Sequence, residues 1–130
     1  MAKHNEIGAI GELVAAEFLE SKGQRILDRN FRRPYGEIDI VSRGTGGRVH
    51  FVEVKSVSHG TATNGGLGEH FRPEENVHPR KIERLMRVIQ TYLLQKDVES
   101  EWQFDVIAVY LDEQTKTAKI RYLENIVLGS

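Results

Sequence analysis

Two short apolar segments joined by a glycine-rich turn carry charged residues at positions where a strand is expected to be buried. The segments are residues 36–41 and 49–55, and three glycines lie in the connecting residues 44–47. This pattern predicts an antiparallel hairpin. Because an unpaired ionised group is strongly destabilising when it is moved out of water, the charges in these strands must be compensated.

The charges are Glu37 and Asp39 in the first segment, and Glu53 and Lys55 in the second. Side chains two residues apart in a strand share a face, so pairing of the strands would bring three carboxylates and one amine to one patch. Carboxylate oxygens suit hard cations such as Mg²⁺ or Mn²⁺, and a neighbouring lysine could orient or deprotonate a metal-bound water. A salt bridge between Lys55 and one acid is the alternative, and it leaves the other acids unexplained.

Length and composition predict one cytoplasmic domain spanning residues 1–130. The chain has 130 residues, a size typical of a single core, and its lack of cysteine is compatible with a reducing compartment. The N-terminus shows no signal-peptide pattern, and no apolar run approaches the roughly 18 to 20 residues that span a bilayer. We therefore expect no membrane association.

Hydrophobic periodicity predicts two helices and five strands, with the strands forming a central sheet. A first helix is predicted over residues 7–21, with Ile7, Ile10, Val14 and Phe18 as its apolar stripe and Gly23 closing it. A second helix begins near Pro79. The run 104–111 is typical of a central strand buried on both faces. The other predicted strands are residues 25–32, 36–42, 49–57 and 119–123.

Charge is unevenly distributed along the chain although the net charge is only -1. Residues 22–57 hold eight Lys or Arg against four acids, residues 79–96 hold five against one, and residues 97–113 hold six acids and no Lys or Arg. One basic and one acidic side follow, unless these are ordinary solvated faces. On the second helix Arg80, Arg84 and Arg87 would form one stripe suited to phosphate contact.

Two further features bear on function. Residues 58–76 form a glycine-rich stretch without periodicity, which we expect to cover the charged patch, with disorder without function as the alternative. The five histidines show no paired metal-binding motif, so we interpret them as isolated surface residues.

The spacing of the charged patch resembles a known signature. Asp39, thirteen intervening residues and then Glu53-Val54-Lys55 resemble the Asp, Glu-x-Lys motif of the PD-(D/E)XK nuclease superfamily. The surrounding motifs, in order along nearly the whole chain, resemble the YraN-like family of uncharacterised bacterial proteins, which is similar to archaeal Holliday junction resolvases. These motifs are Gly8-x-x-Gly11-Glu12, Arg29-Asn30-Phe31-Arg32, residues 36–41, residues 51–55, Lys81, Tyr92-Leu93 and Phe104-Asp105-Val106.

The resemblance implies a fold and a set of site residues. The fold is an α/β, restriction-endonuclease-like αβββαβ core with a central mixed sheet flanked by helices. Asp39, Glu53 and Glu12 would be metal ligands, and Lys55 would position the attacking water. Glu37 would act next to the ligands without binding the metal itself. A solvent-exposed helix residue is the alternative for Glu12. The family often has Thr-Arg after the lysine, where this chain has Ser56-Val57, which removes one basic contact.

The expected function is Mg²⁺- or Mn²⁺-dependent endonuclease cleavage of DNA, including branched or structured DNA. Two rivals are a nucleic-acid-binding module of the same fold with little or no turnover, and a protein-interaction domain whose charges form a structural network. DNA is the expected partner, and a homodimer is left open. The predicted nucleic-acid contacts are Arg80, Lys81, Arg84 and Arg87 on the second helix, with Arg32 and Arg33 on the first strand.

Overall fold

The two helices and five strands follow one another along the described chain in the predicted order. The computed structural model describes residues 4–58 and 79–128, without the side chains of residues 4 and 5. Within them the order αβββαβ is confirmed and a further strand follows it. The elements are α1 (His4–Ser21), β1 (Arg25–Arg33), β2 (Gly36–Arg43), β3 (Val49–Ser58), α2 (Pro79–Gln95), β4 (Trp102–Asp112) and β5 (Thr117–Leu123).

The strands form one mixed sheet in the order β1-β2-β3-β4-β5. The predicted hairpin is confirmed, since β2 and β3 pair antiparallel and Gly47 adopts φ +92° in the turn between them. Strands β3 and β4 are parallel, which requires the crossover that contains α2. The described structure is consistent with a restriction-endonuclease-like core.

Each face of the sheet is covered by one helix. The core beneath α2 is built around Phe51 of β3 and Tyr92 of α2, and the core beneath α1 around Leu19 of α1 and Val52 of β3. Strand β4 supplies Val106 to the first core and its neighbour in sequence to the second. The prediction of a central strand buried on both faces is therefore confirmed.

The apolar stripe predicted for α1 is partly wrong. Ile7 is buried, but Ile10 is 43% exposed, and the helix instead packs through Ala15 and Leu19. Gly11 explains the difference, because a Cβ added there would lie 1.7 Å from Ser56 Oγ and 2.6 Å from Ser56 Cβ. The helix thus lies against β3 with its smallest residues, which fixes the neighbouring Glu12 relative to the sheet.

His50 is not the surface residue that the sequence suggested. It is 7% exposed on β3, and its Nδ1 donates to Asp105 Oδ2 at 2.7 Å. Asp105 also accepts from Gln103 Nε2 at 2.8 Å, Tyr122 OH at 2.6 Å and the Asn125 N–H at 2.9 Å. The prediction failed because His50 occupies a core-facing strand position, where a polar side chain is tolerated once its partners are present.

Burial alone would raise the pKa of Asp105, but the hydrogen bonds that it accepts outweigh burial, His50 first, and hold the pKa below its usual range. Since Asp105 is fully buried, the acidic segment 97–113 is not entirely a surface feature.

Two further sequence predictions concern the covering segment and the membrane. Ser58 is the last residue of β3 and is buried, whereas the rest of the predicted covering segment, residues 59–76, lies outside the described residues. None of the helices in the described ranges is both long and apolar enough for a bilayer.

Candidate functional site

The site is built where β2 and β3 separate. Their pairing runs from Arg43 and Val49 to Ile40 and Val52, and β2 then continues without a backbone partner on β3. The Asp39 side chain takes over, with Oδ2 accepting a hydrogen bond from the Val54 N–H at 2.7 Å. The Asp39 carboxylate therefore takes the place of a backbone carbonyl as the acceptor for the Val54 N–H. It is held in place by the backbone of β3, the strand that carries Glu53 and Lys55.

The alternation of β2 breaks at Asp39. Ile38 packs into the core beneath α2, whereas Ile40 packs into the core beneath α1, although residues two apart share a face in a regular strand. The neighbouring β1 is irregular at the same level, where Asn30 adopts φ +53° between the pairs that its two neighbours form with Ile40 and Ile38. This local change of face positions Asp39 at the divergence of the strands.

Burial is the main influence on the Asp39 carboxyl group. Burial, together with the negative charges of Glu12, Glu53 and Glu37, raises the pKa of Asp39 to about 7 against the lowering effect of the Val54 N–H. The four predicted acids are thus close enough to interact, with Asp39 at their centre. Such a group gains from a counter-ion.

Glu53 is bound by lysines from two elements. Its Oε1 lies 3.1 Å from Lys81 Nζ of α2 and 3.7 Å from Lys55 Nζ of β3. Burial lowers the pKa of Lys55, and the neighbouring Lys81 lowers it further against the opposing charge of Glu53. Burial also lowers the pKa of Lys81. The negative charge of Glu53 is the largest opposing influence, and the net result is a raised pKa.

Lys81 was predicted to contact nucleic acid, and the structure places it on Glu53. The sequence held a signal for this position, because Lys81 lies four residues before Leu85 and eight before Ile89, in register with the apolar stripe of α2. A lysine at the edge of that stripe is directed at the sheet.

The two remaining predicted acids pair with arginines of β1. Glu12 Oε1 lies 3.8 Å from Arg29 Nη2, and Glu37 Oε2 lies 2.8 Å from Arg32 Nε. Glu37 is exposed and acts on Asp39 through its charge, a smaller influence than those of Glu12 and Glu53. Sequence reasoning included Arg29 in a motif but did not pair it with Glu12.

The donor set suits a hard divalent cation. Within the described ranges, no three His, Cys, Asp or Glu side chains converge as a preformed metal cluster. Mg²⁺, however, is usually held by one or two carboxylates together with water and substrate phosphate oxygens. Asp39 and Glu53 supply two such carboxylates, and Asp39 Oδ1 accepts no hydrogen bond from the described residues. These residues therefore fit Mg²⁺ or Mn²⁺.

A basic surface lies beside the site. We define this basic surface by Arg32, Arg33, Arg84 and Arg87. The guanidinium of Arg87 lies 3.9 Å from the centre of the Tyr35 ring, and that of Arg33 lies 4.2 Å from the centre of a ring in the same strand. The turn between β1 and β2 packs on α2, since a Cβ added at Gly36 would lie 3.4 Å from the Arg84 carbonyl oxygen.

Tyr35 joins the two parts of the basic surface, and Arg33 adds a second link by donating to Gln95 Oε1 of α2. The Tyr35 hydroxyl lies 2.5 Å from Thr91 Oγ1 of α2, which anchors the β1–β2 turn to the helix. Sequence reasoning missed this role, because the arginines of the hairpin and of the helix are about fifty residues apart in the chain. Arg80, also predicted as a contact, is exposed in the first turn of α2.

Comparison with known proteins identifies the family. The sequence model of the uncharacterised protein family UPF0102 matches residues 11–109. The chain belongs to this family. It is 42% identical over 125 residues to a UPF0102 protein of Alkaliphilus oremlandii, covering 94% of this chain and 97% of that protein. It is 36% identical over 121 residues to one of Wolinella succinogenes, covering 93% and 95%, and 37% identical over 124 residues to one of Helicobacter pylori, covering 95% and 93%.

The region that matches UPF0102 contains the whole candidate site and the basic surface. It begins just before Glu12 and extends beyond α2 into β4. The family predicted from the motifs, under its YraN-like name, is thus confirmed. The roles of the site residues in this UPF0102 protein remain predictions.

Proposed function

We propose that this UPF0102 protein hydrolyses phosphodiester bonds in DNA, including branched or structured DNA, with Mg²⁺ or Mn²⁺. The observation that carries the proposal is the placement of Asp39, Glu53 and Lys55 at the divergence of β2 and β3. Two carboxylates there share a half-buried position with two ammonium groups, and the Val54 N–H holds one carboxylate in place. Folding alone gives no reason for so many charges on apolar strands.

Each residue of the site has a part in this chemistry. Asp39 and Glu53 would hold the cation through carboxylate oxygens, with Glu12 at the edge of the site. When bound, the cation would polarise a phosphate oxygen and favour deprotonation of the attacking water. Lys55 would orient that water, and its ammonium group would stabilise charge on the phosphate. Burial lowers the pKa of Lys55, which makes it easier for the amine to act instead as the base that takes a proton from the water.

The basic surface supports nucleic acid as the substrate. Its arginines lie on α2 and at the end of β1, next to the site in the chain: Arg33 is six residues before Asp39, and Arg84 is three residues after Lys81. Stacking on Tyr35 restricts the Arg87 side chain before any ligand binds. A phosphate backbone lying on this surface would reach the carboxylates.

The metal site is tested by thermal unfolding with and without Mn²⁺. A ligand that binds only the folded state stabilises it, so we expect the melting temperature of the wild type to rise by roughly 3 to 6 °C at a Mn²⁺ concentration about tenfold above Kd. Asp39→Asn should abolish most of this rise. Asp97→Asn is the matched control, because Asp97 is exposed at the far end of α2 from Lys81. An equal rise in Asp39→Asn would remove Asp39 from the ligand set.

The nucleic-acid surface is tested by the salt dependence of DNA binding. Each phosphate contact contributes about 0.9 to the slope of log affinity against log salt on duplex DNA. Replacing Arg80, Arg84 and Arg87 by glutamine should therefore lower the slope by roughly two to three, whatever the DNA sequence. A control triple variant removes the same charge from exposed positions elsewhere, at Arg25, Lys96 and Lys119.

The control triple variant should keep a slope within about one unit of the wild type. If the α2 variant also keeps it, α2 does not contact the backbone, and Arg29, Arg32 and Arg33 become the next residues to replace.

A binding module without turnover is the second candidate function. It is favoured by one observation: Glu53 Oε1 already has two ammonium partners, from Lys55 and Lys81, so its charge is compensated without a metal. Micromolar DNA binding by a wild type that cleaves no substrate in Mn²⁺ would support this function over the nuclease.

A further inference from the structure

Among the residues that the structure describes, Lys81 lies closest of the cationic side chains to a proposed metal ligand. Its Nζ is 3.1 Å from Glu53 Oε1, whereas Lys55 Nζ is 3.7 Å from the same oxygen. The two lysines reach this oxygen from different elements, Lys55 from β3 itself and Lys81 from the first turn of α2. Glu53 Oε1, the oxygen that a bound divalent cation would contact, is therefore already paired with a lysine of the helix and a lysine of the sheet.

The other acids of the site are compensated differently. Glu12 and Glu37 pair with Arg29 and Arg32, which both belong to β1 at the edge of the sheet. Those pairs involve neither Asp39 nor Glu53, so they can persist while a cation lies between these two carboxylates. Lys81 lies on the Glu53 carboxylate itself, where a second positive charge would be placed.

We propose that Lys81 is a displaceable cation, which holds Glu53 in the metal-free protein and leaves it when a divalent cation binds. The inference rests on the proposed function, because it takes Glu53 as a ligand. Two positive charges a few ångströms apart repel one another, most strongly where burial limits screening by water. Glu53 is only 24% exposed, so this repulsion is not fully screened. Metal binding and the Lys81 contact thus compete for one carboxylate.

The competition links metal occupancy to α2. Lys81 precedes Arg84 and Arg87 of the basic surface by three and six residues, on the same helix. The Lys81 side chain is 42% exposed while it is paired with Glu53, so its ammonium group would be free to turn towards that surface once released. There the Lys81 ammonium group would contact a substrate phosphate bound to the cation. Lys81 could thus pair with Glu53 in the metal-free protein and contact nucleic acid, as predicted, once the metal is bound.

Isothermal titration of the full chain with Mn²⁺, without nucleic acid, tests the inference. Lys81→Met removes the competing charge and keeps the length of the side chain, so we expect Mn²⁺ to bind about fivefold more tightly than to the wild type. Lys96→Met makes the same change at an exposed position just after α2, and Kd should stay within about twofold. Lys81→Arg keeps the charge and should also remain near the wild-type value. A merely structural role of Lys81 gives the opposite sign, namely weaker binding.

The outcomes separate the inference from the proposed function. If Lys81→Met binds Mn²⁺ as tightly as the wild type or more weakly, Lys81 does not compete with the metal, while the metal site itself stands. If Mn²⁺ binds to neither protein at millimolar concentration, the metal site is absent, and the proposed function and this inference are both overturned. Binding to Lys81→Met alone would support the inference most strongly.

Discussion

Replacing Lys55 by methionine is expected to slow phosphodiester cleavage by roughly 10²- to 10⁴-fold, the usual contribution of a positioned acid-base group. The reason is local: Lys55 stands on β3 two residues after Glu53, with its Nζ 3.7 Å from Glu53 Oε1 and its pKa lowered by burial. No other described lysine stands on a strand beside the carboxylates. Mn²⁺ and DNA binding should not weaken, because neither carboxylate nor basic surface is changed and one positive charge beside Glu53 is removed.

The measurement compares cleavage and binding on the same substrates: duplex, flap, four-way junction and single strand, each in Mn²⁺. Lys96→Met, which removes an exposed lysine outside the site, should cleave at the wild-type rate. Undiminished cleavage by Lys55→Met would exclude this lysine from the reaction. Loss of metal binding together with cleavage would instead show that Lys55 maintains the site rather than acting on the water.

Replacing Asp105 by asparagine is expected to lower the free energy of unfolding by about 3 kcal/mol, or the melting temperature by roughly 10 °C. Asp105 is fully buried and accepts hydrogen bonds from His50, Gln103, Tyr122 and the Asn125 N–H. An amide nitrogen at one oxygen position faces donors there, so at least one buried donor is left without an acceptor.

Chemical denaturation at several pH values checks this expectation. Because the folded-state pKa of Asp105 lies below its ordinary value of 3.8, the carboxylate stabilises the protein above that pH and ceases to do so as pH falls through the folded pKa. The difference between wild type and Asp105→Asn should therefore be constant at neutral pH and shrink below pH 3.8. Asp97→Asn, at an exposed position, should change stability by less than about 0.5 kcal/mol. Equal stability of Asp105→Asn and wild type would mean that the hydrogen bonds are not needed.

The candidate site around Asp39 and the polar network of Asp105 accommodate buried charge in different ways. Both place charge in a sheet that is otherwise apolar. Asp105 is surrounded by donors and its pKa is lowered, whereas Asp39 has one backbone donor and three nearby acids and its pKa is raised to about 7. A satisfied carboxylate is typical of structure, and an uncompensated one is typical of a ligand site. This contrast supports a functional role for Asp39 rather than for Asp105.

The sequence by itself determined the elements and most of the candidate site. The run 104–111 was typical of a strand buried on both faces, and the glycine turn at residues 44–47 predicted a hairpin of the two charged segments. Asp39, Glu53 and Lys55 were recognisable because charges on apolar strands are costly without a partner. Each of these features depends on residues that are close in the chain, where side-chain periodicity decides burial.

Tertiary structure decided which distant residues meet. The close approach of Gly11 to Ser56 selected the buried face of α1 and exposed Ile10, and the placement of α2 brought Lys81 to Glu53. His50 is buried because its strand position faces α1 and Asp105 is present to accept its hydrogen bond. Contacts of this kind depend on strand register and helix placement, which follow from packing of the whole core, so a local pattern can indicate which face is buried but not which residue is met there.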